Sequence, residues 1–186
     1  MKTPKFLVQK GTYEQLLVFQ KAECIYDVTY HFAHRFLERG DRTIDQMVQA
    51  ARSLKQNIAE GDAASTTSRE MELKLMGVAK ASLQELLLDY RDYLRVRSLQ
   101  EWGVEDQRTM QAREYCRTHH DSADFRAALP ARSDETIANI ALVLLHQADL
   151  MLYRLIESLK EQFLEQGGIR EELSRARRKV TQSDSK

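Results

Sequence analysis

Chemistry in a 186-residue chain with five histidines and two cysteines would most simply be metal chemistry. In helical proteins the di-iron pattern is Glu-x-x-His on facing helices. The histidines are His31, His34, His119, His120 and His146, and Val28, His31, Cys116, Arg117 and Val143 precede them by three. No Glu-x-x-His exists. His31 with His34, and Cys116 with His119 and His120, each fall short of a complete ligand set. His146 sits in the most apolar helical stretch and is expected to be a hydrogen-bonded core residue. The chain has no G-x-S-x-G, H-E-x-x-H, CxxC or glycine-rich phosphate loop. Asn57 and Glu60 could position a proton, but a general base needs a pocket and a partner, and none is visible. The expectation is no metal, no cofactor and no catalytic residue.

The other chemistry available is phosphate binding. Arg35, Arg39, Arg42, Arg52 and Lys55 cluster along the first third of the chain, and Arg170, Arg175, Arg177, Arg178 and Lys179 near its end. Such residues neutralise phosphates without reading bases. Lys plus Arg and Asp plus Glu both number 28, so the chain is not the strongly basic one of a dedicated binder. Residues 169–186 do carry 6 basic against 3 acidic groups. Solvated helix faces and an anionic partner both remain open readings of these clusters.

These residues must be positioned by helices. Seven Gly and two Pro are too few for a sheet-rich fold. Phe19, Ala22, Ile25, Tyr26, Thr29, Phe32, Ala33 and Phe36 recur at helical steps and predict a first helix over Tyr13–Arg39, ended by Gly40. Thr43 with Gln46 reads as the capping box of a second helix, closed by Gly61. Thr67 with Glu70 reads as the cap of a third, running to Arg97 with Leu75, Val78, Ala79, Ser82, Leu83, Leu86, Tyr90, Tyr93 and Leu94 inward. A weaker helix is predicted from Val104 to His120, then a loop containing Pro130. Ser133 caps the last long helix, which Gly167 and Gly168 end. A short basic suffix helix follows over about 169–180. The prediction is an all-α, antiparallel up-down four-helix bundle over 1–168, with an inserted segment at 98–132 and a suffix at 169–186.

No run approaches the ~18 apolar residues of a membrane span, and the start MKTPKFLVQKG has too short an apolar core for a signal peptide. Cys24 and Cys116, inside helical patterns, are expected to be reduced and buried, as in a cytoplasmic protein.

The stretch ARSLKQNIAEG is more specific. With Ser53, Asn57, Ile58, Ala59, Glu60 and Gly61, preceded by Gln46 and Ala50, it resembles the signature of a bacterial four-helix-bundle family. That family includes proteins encoded in intervening sequences of large-subunit ribosomal RNA genes and the accessory variability protein of diversity-generating retroelements. LLVFQKAECIYD is similar to the family's first-helix opening, and Ala79, Ser82, Leu83, Glu85 and Leu86 to its third-helix pattern. The ending resembles a subgroup with a C-terminal helical suffix. Lys55 stands where the family often has Pro, and Val48 and Gln49 where relatives tend to be basic. The resemblance implies a homo-oligomeric ring, in relatives a pentamer, with RNA, DNA or a reverse transcriptase as partner. The residues themselves suggest that Asn57, Glu60 and Gly61 form a joint, with Ser53 and Ser82 marking close helix crossings. In that joint Gly61 makes a left-handed turn, while Asn57 and Glu60 hold free backbone groups at the start of the third helix. Two functions follow: a nucleic-acid-binding bundle, or a protein-interaction scaffold with no nucleic acid.

Overall fold

A computed structural model describes residues 12–168 and, beyond these, 171, 174, 175 and 178. Arg170, Arg177, Lys179 and most of the predicted suffix helix lie outside the described residues. Among the described residues the chain is all-helical, with no strand. A 3-10 turn at Tyr13–Gln15 leads into α1 (Leu17–Phe36), α2 (Arg42–Ala64), α3 (Arg69–Val96), α4 (Gln107–Thr118), α5 (Ser122–Ala128) and α6 (Asp134–Gln166).

Helix α1 packs against α2 and α6, and α3 packs against the same two. Helices α3 and α6 run in opposite directions. Tyr93, near the end of α3, donates to Asp134 at the start of α6 (3.0 Å). Arg69, at the start of α3, reaches the Gly167 carbonyl beyond the end of α6 (3.3 Å). The apolar stripes meet in a single core that includes Ile25, Phe32, Leu54, Leu83, Leu86 and Leu144. Phe32 sits at its aromatic centre, with ring centroids 4.6 Å from Tyr93 and 5.0 Å from Tyr90. The buried Tyr90 hydroxyl donates to Thr29 Oγ1 (3.0 Å), which satisfies two polar groups inside an apolar interior. Residues Asp134–Glu165 are long and apolar enough to cross a membrane by length and composition, but 56% of their most apolar window is buried within the protein.

Several local expectations change. Leu16 adopts an extended conformation, so the first helix begins at Leu17 and stops at Phe36. Asp41, not Thr43, caps α2, its carboxylate accepting from Thr43 N (2.8 Å). Ser68, not Thr67, caps α3 and accepts from Met71 N (3.2 Å). In both, the residue one or two positions away holds the extended backbone conformation of an N-cap. Ser133 caps α6 as expected. Val78 is exposed, and Met76 and Leu87 join the core instead. Where one helix and a loop were expected, two short helices form, capped by Asp106 and Asp121. Seven residues are too few for periodicity to reveal α5.

Gly61 does not end its helix. Helix α2 continues through it to Ala64, and the positive-φ glycines among the described residues are Gly40 and Gly167. Gly61 is buried, and a Cβ there would meet Met76 Cε at 2.9 Å. It is a contact point between α2 and α3.

Candidate nucleic-acid interface

The signature residues come first, because they decide whether the joint is a site. Asn57 Nδ2 donates to the Ser53 carbonyl (2.8 Å) and lies 3.1 Å from Ser53 Oγ. Ser53 Oγ in turn lies 2.8 Å from Ser82 Oγ on α3. The three side chains form a short polar ladder across the α2–α3 crossing, one turn from the Gly61 contact. Glu60 and Glu85 are exposed and stand outside it. Asn57 therefore serves its own helix rather than the turn before α3, and Glu60 holds no backbone amide among the described residues. The reason is local: α2 runs past Gly61 to Ala64, so the turn before α3 lies further along than either side chain was expected to reach.

The basic residues divide into two groups at opposite ends. Arg35, Arg39 and Arg42 flank the α1–α2 link and are exposed. Arg97 joins them, close enough to Asp41 to help hold its carboxyl below the usual range, after the larger effect of the hydrogen bonds from Thr43. Arg175 and Arg178 line a recess with Glu165 and Glu171, past the other end of α6. They share no surface with the first group. Arg52 is exposed on α2, and Lys55 Nζ sits 4.6 Å above the Tyr26 ring on α1.

Sequence periodicity placed Tyr26 in the core, and it packs half-buried against the core; periodicity gave no role to Tyr30 or His34. The structure lines up all three along one side of α1, with Tyr30 and His34 exposed. Tyr30 is 49% exposed, its ring 6.2 Å from Tyr26 and 4.1 Å from His34. His34 Nδ1 lies 2.8 Å from the Tyr30 carbonyl. Lys55, Tyr26, Tyr30 and His34 thus form a continuous ladder of cation and rings leading toward Arg35. The signal that could have found it is the i, i+4, i+8 spacing of Tyr26, Tyr30 and His34.

Several basic residues elsewhere on the surface are ion-paired. Arg91, Arg95, Arg108, Arg117 and Arg126 each lie against a carboxylate. Arg35, Arg39, Arg42, Arg52 and Lys55 have no ion-pair partner among the described residues. Glu38, Asp41 and Asp45 share this region, and Asp27, paired with Arg126, lies beside Tyr26 and Tyr30, so seven basic groups, counting Arg97 and Arg126, stand against four acidic ones.

No group of three or more His, Cys, Asp or Glu suited to a metal occurs among the described residues. His146 is exposed, not a core residue, because its position on α6 faces the groove beside α4. Cys24 and Cys116 are buried free thiols whose pKa values burial pushes up to about 12. No family model, curated protein or solved structure matches this chain.

Proposed function

We propose that this protein is a non-enzymatic, homo-oligomeric four-helix bundle that binds single-stranded nucleic acid through the α1–α2 face. The observation that carries this reading is the strip of unpaired basic residues interleaved with exposed rings. Unpaired Lys and Arg are free to replace the counterions of phosphates. Exposed Tyr30 and His34 offer faces on which unpaired bases stack, a sequence-tolerant interaction of about 1–3 kcal/mol per base. In a ring of copies the strip would repeat around the rim.

The test is fluorescence anisotropy with labelled single-stranded RNA and DNA, titrated with salt. The expected result is affinity that falls log-linearly with salt, with a slope of roughly −2 to −4 for about three to five phosphate contacts. The pair Arg35→Glu and Lys55→Glu abolishes binding without lowering thermal stability. Tyr30→Ala weakens binding but leaves the salt slope in place. No binding at low salt overturns the reading.

The second reading, a protein-interaction scaffold, draws on a different surface. Leu88 on α3 and Leu150 and Tyr153 on α6 are 62%, 49% and 52% exposed, on helices joined by the Gln84–Asp149 bond (3.1 Å). Burying these side chains between copies is worth about 1.5–3 kcal/mol each. Sedimentation analysis of Leu88→Glu against the parent chain tests it: dissociation to monomer is expected if this face carries the assembly.

A further inference from the structure

The inserted segment forms a partly open cavity that the proposed function does not use. It lies between α4, α5 and the first turns of α6, with a volume of about 350 Å³. That is near the lower end of the range for small-molecule pockets, about 300–1,000 Å³, and too small for a polymer. Its floor is apolar and closed by Cys116, Phe125 and Leu129, all buried. Two aromatic residues, Trp102 and Tyr115, form its walls.

The walls are fixed in advance. Trp102 N donates to Asn139 Oδ1 (2.8 Å), and its indole Nε1 to Glu135 Oε1 (3.4 Å). The Arg108 guanidinium covers its ring at 4.8 Å. Tyr115 stacks on His119 at 3.9 Å and meets the edge of Phe125 at 5.5 Å. A pocket whose rings are already ordered loses little entropy when it binds a planar molecule.

Charge at the rim is asymmetric. Arg108 is neutralised by Asp106 (2.7 Å) and Glu135 (3.5 Å). Arg132 lines the same cavity, is exposed, and has no ion-pair partner among the described residues. One uncompensated guanidinium therefore faces an apolar, aromatic-walled hole. We propose that this cavity is a binding site for a compact aromatic monoanion, a carboxylate or sulfonate whose ring lies between Trp102 and Tyr115 and whose charge meets Arg132. The occupant would brace α4 and α5 against α6.

Trp102 is the single tryptophan in the chain, which makes it the reporter. The full-length protein is titrated with 1-anilinonaphthalene-8-sulfonate, and in parallel with the uncharged N-phenyl-1-naphthylamine, reading energy transfer from Trp102. One saturable sulfonate site per chain with strong transfer is expected. Arg132→Gln weakens the sulfonate by on the order of tenfold, through loss of a charge-assisted contact, and leaves the neutral amine unchanged. Ala112→Phe, which fills the cavity, abolishes binding of both; circular dichroism establishes that the variant is folded, and Ala128→Leu replaces it if it is not. Absence of saturable binding, equal affinity of the parent protein for sulfonate and amine, or parent-like affinity in a folded cavity-filled variant overturns the proposal.

Discussion

Phe32 and Asn139 are both almost fully buried, yet they hold different parts of the molecule by different means. Phe32 belongs to the long helices α1, α2, α3 and α6, whose stripes interlock through apolar contact. Asn139 belongs to the seam between α6 and the inserted segment, and it acts through hydrogen bonds. Its Oδ1 accepts from Trp102 N (2.8 Å), and its Nδ2 donates to the carbonyls of Gln100 (2.9 Å) and Glu135 (2.8 Å). Other attachments of the segment are similar in kind. The fully buried Lys21 donates to the His119 carbonyl at the C-cap of α4 (2.9 Å), where a cation suits the helix dipole. Burial lowers the Lys21 pKa. Cys24 Sγ donates to the His120 carbonyl (3.5 Å), and Gln147 Nε2 to that of Arg113 (3.0 Å). The insert supplies few buried apolar side chains, chiefly Cys116, Phe125 and Leu129. Side chains from the long helices therefore grip its backbone. Apolar packing is cooperative and tolerant in detail, whereas each polar grip fails singly if one partner is lost.

Phe32→Ala should have the largest effect, a loss of about 3–5 kcal/mol in urea unfolding. It should destabilise all four long helices together. Asn139→Ala should cost about 2 kcal/mol, because it leaves buried backbone groups unpaired. In hydrogen exchange, amides of residues 99–118 should speed up while those of α2 keep their protection. Equal acceleration in α2 would abolish the distinction between the two regions.

Asp89 on α3 offers a sharper, pH-dependent contrast. Burial first, then the neighbouring carboxylates Glu85 and Asp92, raise its pKa from 3.8 to about 6, and its Oδ2 has no hydrogen-bond partner among the described residues. A carboxyl raised in the folded state lowers stability once it ionises. The cost is present above pH 6, shrinks as pH falls through 6, and is gone below 3.8. Asp89→Asn should therefore stabilise the protein by about 1 kcal/mol at pH 7, discounted for partial exposure, with no advantage at pH 3.5. The smallest expected effect lies at the border between the regions. Ser98, just past the C-cap of α3, has φ 54°, and Leu99 N returns to the Leu94 carbonyl (2.9 Å). Ser98→Gly should add about 0.5–1 kcal/mol, read as a higher melting temperature.

The sequence by itself determined the helices with long stripes. Repeats such as Ile137, Leu144 and Leu145 in α6 reveal a buried face because 3.6-residue spacing leaves only one surface apolar. Their basic residues were legible too, as types and positions. The tertiary structure decided which of those positions share a surface. It separated Arg35, Arg39 and Arg42 from Arg175 and Arg178, and it set Lys55 over Tyr26. It also turned Gly61 from a predicted stop into a close contact with Met76, because a glycine reads alike whether it permits a turn or a neighbour. The short helix α5, the grips of Lys21 and Asn139, and the cavity behind Trp102 left no periodic trace. They rest on single side chains reaching backbone or rings distant in the chain, and only folding brings those partners together.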